Sequence, residues 1–127
     1  MKITRFEDIE AWKSARALGQ ALIEVTQPSR GFQDANLVQQ MRNCVDSTMA
    51  NIAEGFDGGT DKEFVRFLKM AHRSQSELQS HLCFALDSHF IDQRTFDALY
   101  GKAGETKALI FGFMRYLKRP PDRGTGS

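Results

Sequence analysis

Proline is absent between Pro28 and Pro120, and this long interval constrains the fold more than any other feature of the sequence. Because proline is the residue that most strongly breaks a helix, nothing in the interval forbids long helices. Apolar residues recur through it at spacings of three and four, which is the period of an amphipathic helix. The sequence therefore predicts long helices separated by short turns.

Four helical patterns can be read, and each break between them carries a recognisable signal. Pro28 ends the first pattern, since the residue before a proline is pushed out of the α region. Asp34 and Asp92 are the N-caps expected for the second and fourth, and a capping box at Thr60–Glu63 opens the third. Gly55 is predicted to end the second as a left-handed residue. The predicted helices cover residues 7–27, 34–55, 60–89 and 92–117.

Helices of this length, joined by short loops, pack best against one another in antiparallel order. We therefore predict an all-α fold, an up-down-up-down antiparallel four-helix bundle formed by residues 1–119. Residues 120–127 are expected to be a disordered basic and glycine-rich tail. A chain of 127 residues buries roughly two-thirds of its surface on folding, so the bundle requires no disulfide or metal.

Charge and hydropathy limit the classes of function that this chain can have. Lys and Arg number 17 against 16 Asp and Glu, a net charge of +1, so any nucleic-acid binding must come from local patterning. No run reaches the roughly 18 uncharged apolar residues of a membrane span, and Glu7 and Asp8 interrupt the N-terminus where a signal peptide would be apolar. We expect a cytoplasmic protein with no membrane partner, whose Cys44 and Cys83 are reduced core thiols.

One face of the third predicted helix is basic. Side chains spaced four, three and four apart span roughly 16 Å and suit consecutive phosphates of RNA or DNA. A solvated face with salt bridges to Glu63 and Glu77 explains the same pattern. A second basic cluster (Arg115, Lys118, Arg119, Arg123) already has an explanation in the dipole at a helix C-terminus. The candidate nucleic-acid-binding residues are Lys62, Arg66, Lys69 and Arg73.

The fourth predicted helix carries small residues opposite its core stripe. Glycine costs an exposed helical position up to about 1 kcal/mol relative to alanine, so a stripe of glycines favours a close helix–helix contact over chance. We interpret this stripe, with a flanking phenylalanine, as an oligomer interface; incidental glycines are the alternative. Its members are Gly101, Gly104, Ala108, Phe111 and Gly112.

Catalytic signals are weak. His72, His81 and His89 are nine and eight residues apart, so no close histidine pair is available for zinc. Glu77 and His81 have the i, i+4 spacing of a shared metal, but a surface ion pair is the favoured interpretation. No glycine-rich phosphate loop is present. We expect no enzyme, no metal and no cofactor.

Three segments together resemble the four-helix-bundle family of 23S rRNA intervening-sequence proteins, over about residues 6–117. The most specific is Asn51-Ile52-Ala53-Glu54-Gly55, which is preceded by Arg42 and Ser47. The sequence departs from the residues usual in the family at Cys44-Val45, Arg73 and Gln75. The others are Phe6-x-x-Ile9-x-x-Trp12-Lys13-x-Ala15 and Phe64-x-x-Phe67-Leu68-x-x-Ala71-x-x-Ser74-x-x-Glu77-Leu78. The fold also occurs in the accessory variability determinant of diversity-generating retroelements.

The resemblance implies a homo-oligomer, commonly a ring of five, with no established enzymatic activity and a suspected link to RNA or DNA. It also singles out a set of polar residues, which form either a ligand site or, as we favour, a hydrogen-bonded network between the second and third helices. These residues are Arg42, Ser47, Asn51, Glu54 and Glu77.

Two functions therefore remain open. The first is a non-enzymatic nucleic-acid-associated accessory or scaffold protein that acts through the basic stripe. The second is a protein–protein adaptor that binds no nucleic acid and whose affinity rests on anchors such as Arg30 and Phe32 in the first loop.

Overall fold

The computed structural model describes residues 3–119, and in that range it contains four α-helices and no strand. Two short 3-10 turns lie before α1 and α2, at Phe6–Asp8 and Pro28–Arg30. The predicted all-α four-helix fold is confirmed, while the tail predicted for residues 120–127 lies outside the described range. The helices are α1 (Glu10–Val25), α2 (Ala35–Asp57), α3 (Asp61–Asp87) and α4 (Gln93–Lys118).

The predicted N-caps are confirmed. The side chains of Asp34, Thr60 and Asp92 each accept a hydrogen bond from the backbone N–H three residues later, at 2.8–3.1 Å. The capping box is only half made, because the Glu63 carboxylate bonds to Arg66 instead of returning to the Thr60 backbone. The first helix is also shorter than predicted, since the segment before Glu10 forms a 3-10 turn.

Gly55 does not end α2, so its predicted role is wrong. The helix continues to Asp57, and the positive φ of the following turn, 92°, belongs to Gly59. Gly55 is instead buried against α3: a Cβ there would lie 2.7 Å from Cδ1 of Phe64 and 2.9 Å from Cβ of Phe67. The glycine therefore allows the end of α2 to approach the start of α3 more closely than any side chain would.

The core divides into two apolar clusters stacked along the bundle. One contains Leu18 and Leu22 of α1 together with residues from early α2, late α3 and early α4. The other contains Ile9 and Ala11 with residues from late α2, early α3 and late α4. Each helix packs on its chain neighbours, and α1 packs against α4. Successive helices therefore contribute opposite ends to each cluster.

The two cysteines differ in environment. Cys44 is buried, as predicted, in the cluster that contains Leu78 and Leu82 of α3. Cys83 is exposed, so the prediction of a second core thiol is wrong. Leu82 and Ala85, on either side of Cys83, fill the core and leave it on the outer surface of α3.

Replacement of the glycine at the α2–α3 contact tests its packing role. Gly55→Ala is expected to lower the free energy of unfolding by about 1–3 kcal/mol, because the added methyl overpacks a buried contact. Chemical denaturation measures the change. Gly19→Ala is the matched control: its methyl meets only Cγ1 of Val45, at 2.9 Å, so a smaller loss is expected. A Gly55→Ala protein as stable as the parent would contradict the packing role.

Candidate functional site

The basic stripe is on the outer surface of α3, as its spacing predicts. The side chains of Lys62, Arg66, Lys69 and Arg73 are all exposed. The first three line an open depression of about 630 Å³, together with Leu117 and Lys118 from the end of α4. Arg73 lies beyond it, nearer the middle of α3. We call the cluster formed by Lys62, Arg66, Lys69 and Lys118 the basic groove.

The two basic clusters are far apart in the sequence. The fold brings one residue of the second cluster, Lys118, next to the first cluster. Lys62 lies in the first turn of α3 and Lys118 in the last turn of α4, and both line the same depression. Lys118 thus adds a fourth cation from a second helix. Arg119 stacks on the ring of Tyr116, with its guanidinium carbon 4.2 Å from the ring centroid. Arg123, the last member of the second cluster, lies outside residues 3–119.

The cations of the basic groove are not equivalent. Arg66 donates from Nε to Oε1 of Glu63 at 2.9 Å, and this hydrogen bond lowers the pKa of the Glu63 carboxyl. Its charge is therefore partly balanced within the groove. Lys62, Lys69 and Lys118 make no ion pair with any other residue in the described part of the chain. These three ammonium groups are the ones available to an external anion.

Of the five polar residues singled out by the resemblance, Ser47 makes a hydrogen bond from α2 to α3, and Asn51 bonds to Ser47 within α2. The hydroxyls of Ser47 and Ser74 are 2.9 Å apart, which joins the two helices directly. The Asn51 side-chain amide donates to the backbone carbonyl of Ser47 at 2.8 Å and to its hydroxyl at 3.2 Å. Glu54 is exposed near the end of α2, and its side chain makes no hydrogen bond within residues 3–119. Glu77 is also outside the network, with 64% of its side chain exposed.

Arg42, which the resemblance also singles out, connects a different pair of helices. Its Nη2 donates to the Thr26 hydroxyl at 3.0 Å, and that hydroxyl donates to the carbonyl of Leu22 at 2.7 Å. The arginine therefore links α2 to the C-terminal end of α1, not to α3. Its Nε is buried without a hydrogen-bond partner among the described residues.

A second α2–α3 pair lies deeper than the predicted network. Nε2 of Gln75 donates to the Thr48 hydroxyl at 2.8 Å, and both residues are fully buried. Thr48 in turn donates to the carbonyl of Cys44 at 2.8 Å, whereas Oε1 of Gln75 has no partner in the described range. The sequence shows that the inner face of α3 turns polar at Ser74 and Gln75, but spacing alone does not reveal their partners on α2.

Next to these pairs, Cys44 of α2 lies beside Glu77 and His81 of α3. Their potential ligand atoms lie within 4.8 Å of one another. Burial, followed by the neighbouring Glu77 carboxylate, raises the pKa of the Cys44 thiol to about 12. The thiol is therefore protonated at neutral pH and is a poor nucleophile by itself.

The small-residue stripe is on the outer face of α4. Gly101, Ala108 and Gly112 are exposed, and a Cβ added at either Gly101 or Gly112 would meet nothing within 4 Å. Gly104 is half-buried, 3.8 Å from Nε2 of Gln79. Phe111 is 51% exposed, so an apolar anchor accompanies the open glycines. Among residues 3–119, none covers the stripe at its two open glycines.

The proposed protein-binding anchors of the first loop are engaged with the rest of the chain. Phe32 is half-buried, and its ring centroid lies 5.2 Å from that of Phe90. Arg30 donates to the Glu24 carboxylate at 2.8 Å. Neither side chain therefore projects freely from the loop as an anchor for a partner protein. Over residues 3–119, no helix is long and apolar enough to cross a membrane.

Comparison with known protein families gives a match over most of the chain. The model of the family described as 23S rRNA-intervening sequence protein matches residues 7–112, which include α1–α3 and most of α4. No curated protein matches the chain significantly. The matched range contains the α2–α3 polar pairs, three of the four cations of the basic groove and the small-residue stripe of α4.

Replacing either partner of the buried Thr48–Gln75 hydrogen bond is expected to cost a different amount of stability. Thr48→Val leaves a buried amide without its acceptor and is expected to cost about 1–3 kcal/mol of unfolding free energy. Gln75→Leu removes the whole amide, and Thr48 retains its bond to the Cys44 carbonyl, so a change within about 1 kcal/mol is expected. Denaturation of both single variants and the double variant measures this. A Gln75→Leu loss larger than that of Thr48→Val would contradict the assignment.

Proposed function

The chain belongs to the family of 23S rRNA-intervening sequence proteins, and from that premise we propose that it is a homo-oligomeric accessory or scaffold protein that binds RNA or DNA. The observation that carries the proposal is the basic groove, where lysines from α3 and α4 line one open depression. Binding is non-enzymatic, since lysine ammonium groups on an open surface supply charge to phosphates and no acid, base or nucleophile is required.

The groove suits a phosphate backbone because of where its charge lies. Lys62 and Lys69 are seven residues apart on α3, a rise of about 10 Å along the helix, which is of the order of the distance between phosphates two apart on a strand. Lys118 approaches from α4, so the charges border the depression on two sides. A net charge of only +1 gives little long-range attraction, so binding must be local and strongly salt-dependent.

Oligomerisation multiplies the groove. The open glycines of α4, with Phe111 beside them, form a surface on which a backbone of a second copy can lie closely. A closed ring places one basic groove on every subunit at a fixed spacing, so a nucleic acid engages several at once. We propose a ring of five on the basis of the family resemblance, in the cytoplasm.

The alternative, a protein–protein adaptor, draws little support from the first loop, because Phe32 packs against Phe90 and Arg30 pairs with Glu24. It becomes the better description if the multimer ignores nucleic acid at low salt.

Charge reversal in the basic groove tests nucleic-acid binding. Lys69→Glu and Lys118→Glu are each expected to weaken binding to a mixed-sequence RNA and a DNA duplex about tenfold at low salt. Each is also expected to reduce the slope of log affinity against log salt by about one, because one phosphate contact is lost. Fluorescence anisotropy at several salt concentrations measures both quantities.

Arg94→Glu is the matched control for these variants, since Arg94 is an exposed cation in the first turn of α4, at the opposite end of that helix from Lys118. It makes a similar change in net charge and should leave affinity and slope nearly unchanged. Equal effects of Lys69→Glu and Arg94→Glu would show that only net charge matters, and would remove the groove from the proposal.

Insertion of a large charged side chain tests the α4 interface. Ala108→Arg is expected to shift the protein from a multimer towards a monomer, because an arginine cannot enter a contact shaped by glycines. Light scattering after size exclusion measures the mass. Ala50→Arg, at an exposed alanine of α2, makes the same change on a different helix and should preserve the multimer. An unchanged mass for Ala108→Arg would move the interface elsewhere.

A further inference from the structure

Three side chains with different donor atoms converge where α2 packs against α3. Cys44 comes from α2, whereas Glu77 and His81 lie one turn apart on α3 and so share a face of that helix. One potential ligand atom from each residue lies within 4.8 Å of the other two. Oε2 of Glu77 is 3.5 Å from Nε2 of His81.

These separations suit a tetrahedral metal centre. Zinc binds sulfur at about 2.3 Å and nitrogen or oxygen at about 2.0–2.2 Å, so neighbouring ligand atoms in a tetrahedral site lie roughly 3.3–3.6 Å apart. The Glu77–His81 separation already has this value. The sulfur belongs to a buried residue, but the Glu77 side chain is 64% exposed, so an ion can enter from the surface.

One ring nitrogen of His81 lacks a hydrogen-bond partner among the described residues. Nε2 of His81 is buried and makes no hydrogen bond with any described residue, although the Glu77 carboxylate is near. A buried polar nitrogen without a partner costs about 1–3 kcal/mol, so such an atom calls for an explanation. A bound cation satisfies that nitrogen through its lone pair and the adjacent carboxylate at the same time.

We propose that Cys44, Glu77 and His81 form a Zn²⁺ site with a fourth coordination position open to water. Sulfur, nitrogen and oxygen donors together fit a borderline-soft divalent ion of the zinc class better than calcium or magnesium, which prefer oxygen alone. On binding the ion, the Cys44 thiol loses its proton to solvent, and the resulting thiolate and the Glu77 carboxylate balance the charge of the ion. The i, i+4 spacing of Glu77 and His81 favours an ion pair when these two residues are taken alone, and the fold adds Cys44 of α2 as a third ligand.

The site does not depend on the proposed nucleic-acid binding, since none of its ligands lines the basic groove. It joins the middle of α3 to α2 and would act as a cross-link between the two helices that already share the Ser47–Ser74 and Thr48–Gln75 pairs. Metal binding should therefore stabilise the fold as well as fill the site.

Titration with Co²⁺, a spectroscopic substitute for Zn²⁺, tests the proposal on the full chain. We expect one equivalent per chain to produce a thiolate-to-cobalt charge-transfer band, and one equivalent of Zn²⁺ to remove it. Cys44→Ala is expected to abolish the band, and His81→Gln to weaken Co²⁺ binding at least tenfold. Circular dichroism confirms that each variant is folded, and if Cys44→Ala fails to fold, His81→Gln decides.

Two controls address adventitious binding. Cys83→Ala removes the exposed thiol and His89→Gln removes an exposed histidine, and both should leave the band and the stoichiometry unchanged. A parent protein without the band would overturn the proposal. A band that survives in Cys44→Ala, or that disappears in Cys83→Ala, would also overturn it, because the thiolate would then belong to the surface cysteine.

Discussion

The close packing of α2 against α3 is the contact on which the rest of the structure depends. At one end, Gly55 allows α2 to approach the ring of Phe64 and the Cβ of Phe67. Near the middle, Thr48 and Gln75 pair in the fully buried core. Apolar packing alone would let two such helices slide past each other, whereas a buried hydrogen-bonded pair between them has only one favourable register. That register fixes the height of α3 relative to α2, and with it the position of the basic groove on the bundle.

Local signals in the sequence were enough for the fold and for the faces of the helices. Capping residues, proline positions and the apolar period act within one turn or one helix, so Asp34, Thr60 and Asp92 were predicted correctly as caps. The exposure of the α3 stripe and the α4 glycines follows from the same periodicity. The role of Gly55 did not follow from local signals, since a glycine near a helix end is explained equally well by a left-handed cap or by a close neighbour.

The sequence alone did not reveal which residues of different helices lie close together. Nothing in the spacing indicates that Lys118 shares a depression with Lys62, or that Cys44 lies beside His81. Such pairings depend on which helices are neighbours and at which height, and both are set by packing across the whole core. The polar residues singled out by resemblance show the same limit. Ser47 bonds to α3 and Asn51 bonds to Ser47 within α2, whereas Arg42 reaches the end of α1 and Glu54 is exposed.

A chain with a net charge of +1 binds nucleic acid only if its cations are concentrated and repeated, which makes assembly and binding parts of one property. The most direct measurement is light scattering after size exclusion, made on the protein alone and with a mixed-sequence RNA, at low and at high salt. We expect a multimer of the 14.4 kDa subunit that gains mass with RNA at low salt and releases it at high salt. A multimer that never gains RNA mass, or a monomer under all conditions, would contradict a ring that presents basic grooves to nucleic acid.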